Sequence, residues 1–336
     1  MTSGSTAHAV CRPLNTVLCR LAAFACCVLP FALADAAQPF PTKPVRLIIA
    51  ASAGSGSDTI GRIIALGLGK PFGYQVVVEN RAGAANLIGV EVASRAPADG
   101  YTLLLVHMGT AANETLYEKR PYDLVRDFAA VTQFATAPMV LTVHPSLPAR
   151  SIAEFVKLAK AKPGAINYSS GGIGSPTYIA AEMFKGQSGL DVMHVAYRSG
   201  AEALTAVLSG EVSVYFAPVA TALPLIRQNR VRALAVTSAK RVPLLKEWPT
   251  IAESGYPGFD AGNWYGIVVP AKTPKETITV IHGAAISALN NPDVTRRLDD
   301  LGYVPVGDDP DAFAAHIKSQ IEKFGKVLKG VRSSAN

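Results

Sequence analysis

Short, largely apolar segments that stop at a glycine- and serine-rich turn and give way to a helical pattern restrict this chain more than any other feature. Val45–Ile49 is such a segment. It ends in Ala51-Ser52-Ala53-Gly54-Ser55-Gly56-Ser57-Asp58, after which Ile60, Ile63 and Ile64 recur at helical spacing. Residues 75–79 centre on the β-branched run Val76-Val77-Val78, and residues 101–106 are apolar behind the breaker Gly100. The rhythm returns at 165–168, 193–195, 212–216 and 232–236. Short buried runs alternating with helices predict βαβ units around a mainly parallel sheet, an α/β fold. Ser151-x-x-Glu154, Ser199-x-x-Glu202 and Thr273-x-x-Glu276 read as capping boxes, and Pro176, Pro274 and Pro310 as first helical residues.

Two stretches interrupt the rhythm, residues 128–144 and 263–270. They divide the chain into a discontinuous first lobe, residues 39–140 plus 262–330, and a second lobe, residues 141–261. Both sizes fall in the ordinary domain range. Two strands crossing between lobes form a natural hinge.

Ahead of the first strand, Arg12 and Arg20 precede a 13-residue apolar stretch, residues 21–33, and Ala32-Leu33-Ala34 offers a small-x-small cleavage pattern. Ala34-Asp35-Ala36 is a second option. Residues 1–34 therefore read as a secretory signal, the stretch being short of the roughly 20 residues that span a bilayer. The expected product is exported. All four cysteines (Cys11, Cys19, Cys26, Cys27) lie in this leader, so the remaining chain has no thiol for a disulfide, a metal or a nucleophile. The formal net charge is +7. Its basic residues form only small groups, such as Arg227, Arg230 and Arg232, without interleaved aromatics, which argues against nucleic acid as a partner.

Enzyme signatures fail. The 54–59 turn lacks the third glycine of a dinucleotide fingerprint, and Gly69-Lys70 lacks the spacing of a P-loop. No G-x-S-x-G, H-E-x-x-H or C-x-x-C occurs, and the six histidines show no ligand spacing. No catalytic residue, metal or cofactor is expected.

What remains is a set of turns between strand and helix: residues 51–58, residues 169–176 (SSGGIGSP), Tyr197-Arg198-Ser199-Gly200 and Phe216-Ala217-Pro218. Such turns gather at the carboxyl edge of an open α/β sheet, where ligands bind. Glycine permits close backbone approach, and helix-start amides favour an anion. Tight-turn chemistry alone also selects glycine and serine, but two rich turns, one per lobe, favour an anion site between them.

These residues resemble a family. Residues 47–58 with Arg62, residues 77–84 (VVENRAGA), residues 99–104 (DGYTLL), Pro121-Tyr122-Asp123, residues 160–164 (KAKPG), residues 194–197 (HVAY), residues 232–237 (RALAVT), residues 248–255 (WPTIAESG) and residues 263–266 (NWYG) are similar, in this order, to the tripartite tricarboxylate transporter receptors, the Bug family. The resemblance implies a two-lobed, type II periplasmic binding protein-like fold with two crossing hinge strands. It further implies a monomeric receptor that closes on a small organic acid and delivers it to membrane permease subunits. It places ligand contacts on Ser52, Gly54, Ser55, Gly56, Ser57 and Asp58, and on Ser170, Gly171, Gly172, Gly174 and Ser175. In the family the first turn often reads Pro-Phe-Pro-Pro-Gly-Gly; here Ala50-Ala51-Ser52-Ala53-Gly54-Ser55 replaces it with fewer prolines and more hydroxyls.

Further candidates are Asn86, His107, Thr110, Tyr197, Arg198, Pro218 and Trp264. Asp58 suits either a cationic ligand group or a loop brace. Arg198 suits a ligand carboxylate or the solvated surface. His107 suits a ligand contact or a supporting hydrogen bond, and Trp264 a pocket wall or the core. An extracytoplasmic sensor subunit and a secreted enzyme on the same scaffold stay as alternatives to transport.

Overall fold

A computed structural model describes residues 1–4 and 40–328; the leader, its cleavage positions and the four cysteines lie outside the described residues. From Phe40 onward the chain forms one compact unit. Its first run is β1 (Val45–Ile49), α1 (Gly56–Phe72), β2 (Val76–Asn80), α2 (Leu87–Ser94), β3 (Thr102–His107), α3 (Met108–Leu116) and β4 (Phe128–Ala137). A second run follows: β5 (Met139–Val143), α4 (Ile152–Ala161), β6 (Asn167–Ser170), α5 (Pro176–Ser188), β7 (Met193–Ala196), α6 (Gly200–Leu208), β8 (Val214–Pro218), α7 (Val219–Arg227) and β9 (Arg232–Val236). The chain then returns through β10 (Asn263–Pro270), α8 (Lys275–Leu289), α9 (Pro292–Asp300), β11 (Val304–Pro305) and α10 (Pro310–Val327).

The strands make two sheets, β11-β4-β10-β3-β1-β2 and β7-β6-β8-β5-β9. Neither is mainly parallel, contrary to expectation. β2-β1-β3 and β7-β6-β8 are parallel, but β10 runs antiparallel to β3 and β4, and β5 antiparallel to β8 and β9. The crossing strands enter from the opposite sheet and so meet their new neighbours head to tail. Met139 and Val140 already pair with Pro218 and Ala217, so the chain changes sheet at Pro138, just ahead of the boundary drawn from the sequence.

Local chemistry explains the elements. All six residues of β3 are buried, as a strand between two neighbours and two helix layers requires. α1 starts at Ser55, whose hydroxyl accepts the Asp58 amide, and stops at left-handed Gly73. Its Ile60, Ile64 and Leu68 are fully buried, each contributing about 1.5–3 kcal/mol. Gly61 lets this helix lie on β1, since a Cβ there would stand 2.3 Å from Ile49 Cδ1. Ser151 and Ser199 cap α4 and α6 as predicted, through the Glu154 and Glu202 amides. Thr273 does not cap α8: its hydroxyl donates to the Pro270 carbonyl at 2.7 Å, and Pro274 takes the cap position.

Candidate functional site

β1 and β3 are parallel neighbours, so the turns leaving their carboxyl ends lie about 5 Å apart on one edge of the first sheet. After β1, Ser52, Ala53 and Gly54 are exposed. Gly54 takes φ +76°, and its amide donates to Asp58 Oδ2 at 2.9 Å. The Arg62 Nε also donates to that oxygen at 3.0 Å, and Asn80 Nδ2 donates to Oδ1 at 3.0 Å. Burial alone would raise the Asp58 pKa, but the bonds from Arg62, Gly54 and Asn80 together hold it below the usual value. Asp58 is thus the brace of the turn and is only 4% exposed, with its lone pairs engaged inside the fold. Gly56 and Ser57, the first two residues of α1, have amides without an intrahelical partner.

After β3, His107 is the cap of α3. Its Nδ1 accepts the Gly109 amide at 3.0 Å, and its own amide donates to Thr110 Oγ1 at 3.3 Å. Burial lowers its pKa to about 4, so the ring is neutral, with its single proton on Nε2. Thr110 is fully buried with its hydroxyl engaged by that cap. The antiparallel β10 begins at the same edge. Its Asn263 Oδ1 accepts the Met108 amide at 3.3 Å, and its Tyr265 ring lies 6.2 Å from the His107 ring. The Tyr265 hydroxyl is within reach of Ser57 and Asn263, and burial raises its pKa to about 12. A Cβ on Gly56 would stand 3.3 Å from that hydroxyl.

Asn263 and Tyr265 were not among the sequence candidates; Trp264 between them was. On a strand, neighbours face opposite ways. Trp264 turns to α10, with Phe313 and His316 at 5.9 and 5.1 Å between ring centroids, and its Nε1 has no partner. It is a core residue, away from the turns.

The second sheet contributes the turn between β6 and α5. Ser170 is fully buried, its hydroxyl shared between the Gly172 amide at 3.1 Å and His194 Nε2 at 2.7 Å. The Gly171 amide donates to Thr177 Oγ1, and Ser175 Oγ accepts the Tyr178 amide as the cap of α5. Gly172 and Gly174 take φ +97° and +82°. Ser170 and Ser175 therefore build the turn, while its backbone forms the surface.

That turn meets the first half. A Cβ on Gly109 would lie 2.5 Å from the Gly174 carbonyl oxygen, and a Cβ on Gly174 would lie 2.9 Å from Asn113 Oδ1 and 3.6 Å from Ala85 Cβ. Asn113, fully buried, donates from Nδ2 to the Ala85 carbonyl and leaves Oδ1 without a partner. Ala84, Ala85 and Asn86 all adopt left-handed backbone, which brings Asn86 to this junction through its neighbour Ala85. Tyr197 borders the same turn from within the second half, its amide donating to the Ser170 carbonyl at 3.0 Å and its carbonyl oxygen 3.6 Å from where a Cβ on Gly172 would stand, whereas Arg198 and Pro218 make no contact with the seam itself. The Tyr197 hydroxyl donates to Glu211 at 3.0 Å, Arg198 is exposed, and Pro218 pairs with Met139. Two open cavities, of about 580 and 460 Å³, flank Ala233, Glu247 and Trp248 along β9, and no sequence candidate lines them. Among the described residues no group of three His, Cys, Asp or Glu side chains is placed to hold a metal ion, and no helix is long and apolar enough to cross a membrane.

Residues 60–332 match the family described as the tripartite tricarboxylate transporter family receptor. The chain belongs to that family. This receptor is 34% identical to the UPF0065 protein in the tcbD-tcbE intergenic region of Pseudomonas sp. strain P51, over 88% of this chain and 89% of that protein. It is similar to the solved structure of Rhodopseudomonas palustris Rpa4515 with adipate (TM-score 0.81, 32% identity, 86% of this chain and 97% of that one). It is also similar to that of MatC from the same organism with bound malate (TM-score 0.79, 28% identity, 86% and 100%). The receptor thus has the two-lobed α/β periplasmic binding protein fold, and its relatives are solute-binding receptors.

Proposed function

We propose that this receptor is exported to the periplasm, closes its two lobes on a small organic carboxylate, and hands that ligand to the membrane subunits of a tripartite transporter. The observation that carries the reading is the apposition of Gly109 and Gly174, which brings the starts of α3 and α5 together at one seam. On the turn leaving β1, Gly56 and Ser57 are the first two residues of α1, whose amides the helix itself does not engage. Amides at helix starts favour a carboxylate, and an anion touching both lobes stabilises the closed state by its differential affinity. The neighbours captured with adipate and with malate support a dicarboxylate as the ligand class.

The test is a thermal-shift screen over mono-, di- and tricarboxylates, followed by calorimetry. A ligand at 100 times its Kd is expected to add about 2.7 kcal/mol of stability. No shift with any organic acid, against a clear shift with amines or sugars, would refute the reading. Delivery is tested by transport in membranes carrying the permease, with and without the receptor.

A further inference from the structure

Ser170 poses a proton-counting problem whose answer assigns a role to His194. Its hydroxyl oxygen accepts the Gly172 amide at 3.1 Å and lies 2.7 Å from His194 Nε2. A serine hydroxyl has one proton to give, and Ser170 is fully buried. Its proton is placed only if Nε2 is bare and accepts it. With a proton on Nε2, the ring and the Gly172 amide would both donate to the same oxygen, and the hydroxyl proton would be orphaned in the interior.

The surroundings hold His194 in the accepting state. Its ring stacks on Tyr168 at 4.9 Å and 24°, and packs on Tyr178 at 4.8 Å. The charged groups facing it are Glu182 and Lys185 on α5. Glu182 accepts the Tyr168 hydroxyl at 2.5 Å and pairs with Lys185 at 3.6 Å, so its charge is already engaged. Burial is the main influence on the imidazole and lowers its pKa, with Lys185 acting the same way and Glu182 against.

We infer that His194 is a positioning residue: its bare Nε2 takes the Ser170 proton, which aims the Ser170 oxygen at the Gly172 amide and sets the backbone of the turn facing the first lobe. This rests on the carboxylate-receptor reading for its effect on affinity, but not for its effect on the turn. His194 does not touch the ligand. It acts through Ser170, and Gly172 is the residue whose geometry it sets.

Two substitutions separate this role from simple packing. His194→Phe keeps the ring between the tyrosines and removes the acceptor; His194→Gln gives up the ring but restores an acceptor near Nε2 that does not titrate. With malate or adipate as the probe, whichever the wild type binds, calorimetry at pH 7.5 is expected to show about tenfold weaker binding for His194→Phe, and near wild-type binding for His194→Gln. Equal weakness of both variants reduces His194 to packing and overturns the inference, as does wild-type affinity in His194→Phe. The ligand-free protein gives an independent readout by ¹⁵N NMR. The Gly172 amide is expected to shift in His194→Phe and to return in His194→Gln, and to follow His194 as it protonates. A Gly172 amide indifferent to both substitutions overturns the inference even if carboxylates bind. The expected amide pattern in a protein that binds no carboxylate keeps the inference and sinks the functional reading.

Discussion

Gly109→Ala places a methyl group on the seam where the lobes touch. The new Cβ would stand 2.5 Å from the Gly174 carbonyl oxygen, and ordinary contact begins at 3.4 Å, so the second-lobe turn must retreat by about 0.9 Å. A hydrogen bond stretched from about 2.9 to about 3.8 Å is lost. On the proposed reading, in which that turn gives a carboxylate two charge-assisted bonds of about 1.5 kcal/mol each, the loss is about 3 kcal/mol. That corresponds to on the order of 100-fold in Kd. The methyl would also meet His107 Cε1 at 2.8 Å, so the melting temperature must be followed alongside affinity. Gly174→Ala approaches the same seam from the other side, its Cβ 2.9 Å from Asn113 Oδ1, with φ +82° adding about 1–2 kcal/mol of backbone strain. Gly186→Ala is the control: it lies within α5 with open space at its Cβ, and should gain roughly 0.5–1 kcal/mol of stability with affinity unchanged. The assays are calorimetry with the best ligand of the screen and small-angle scattering with and without it. A folded Gly109→Ala that binds within twofold of wild type and still compacts would refute the placement of the closing seam.

Asp58→Asn turns an amide toward donors that Asp58 now satisfies. It is expected to cost about 1–3 kcal/mol in urea denaturation and to weaken ligand binding as the Gly54 turn loosens; wild-type stability would show that the brace is idle. Trp264→Phe removes an indole N–H that has no partner, so affinity should stay within twofold of wild type; a tenfold loss would put Trp264 in the binding site. Burial holds the folded His107 pKa at about 4 against 6.5. Below pH 6.5 the unfolded chain binds a proton that the folded chain refuses, so this contribution is complete above pH 6.5 and lost as pH falls toward 4. The loss totals roughly 3 kcal/mol. His107→Gln should therefore show a shallower fall in stability between pH 6.5 and 4 than wild type, and parallel profiles would contradict the assignment.

The strands and their turns were legible because their signals are local. The apolar run 101–106 could only be a buried strand, and the observed β3 differs from it by one residue at each end. The braces and caps were harder. His107 is not a residue type that ordinarily starts helices, and its imidazole does so because burial keeps it unprotonated beside the Gly109 amide. Asn113 carries no sequence signal, since its partner, the Ala85 carbonyl, and its neighbour, the Gly174 turn, come from remote parts of the chain. In residues 263–265 the largest side chain drew attention, whereas strand alternation points to Asn263 and Tyr265 as the pair sharing a face. The antiparallel crossings were not legible, because strand direction there is decided by which sheet the chain leaves.

β4 and β5 are two lengths of one strand, the first inside one sheet and the second inside the other, with Pro138 alone between them. Proline brings no amide proton to this junction. The chain can therefore swivel there without rupturing a ladder bond of its own. Yet neither sheet can lose its share of this shared rod without tugging on the other. The same joint that makes the jaws easy to turn should make them melt as one, in a single calorimetric transition.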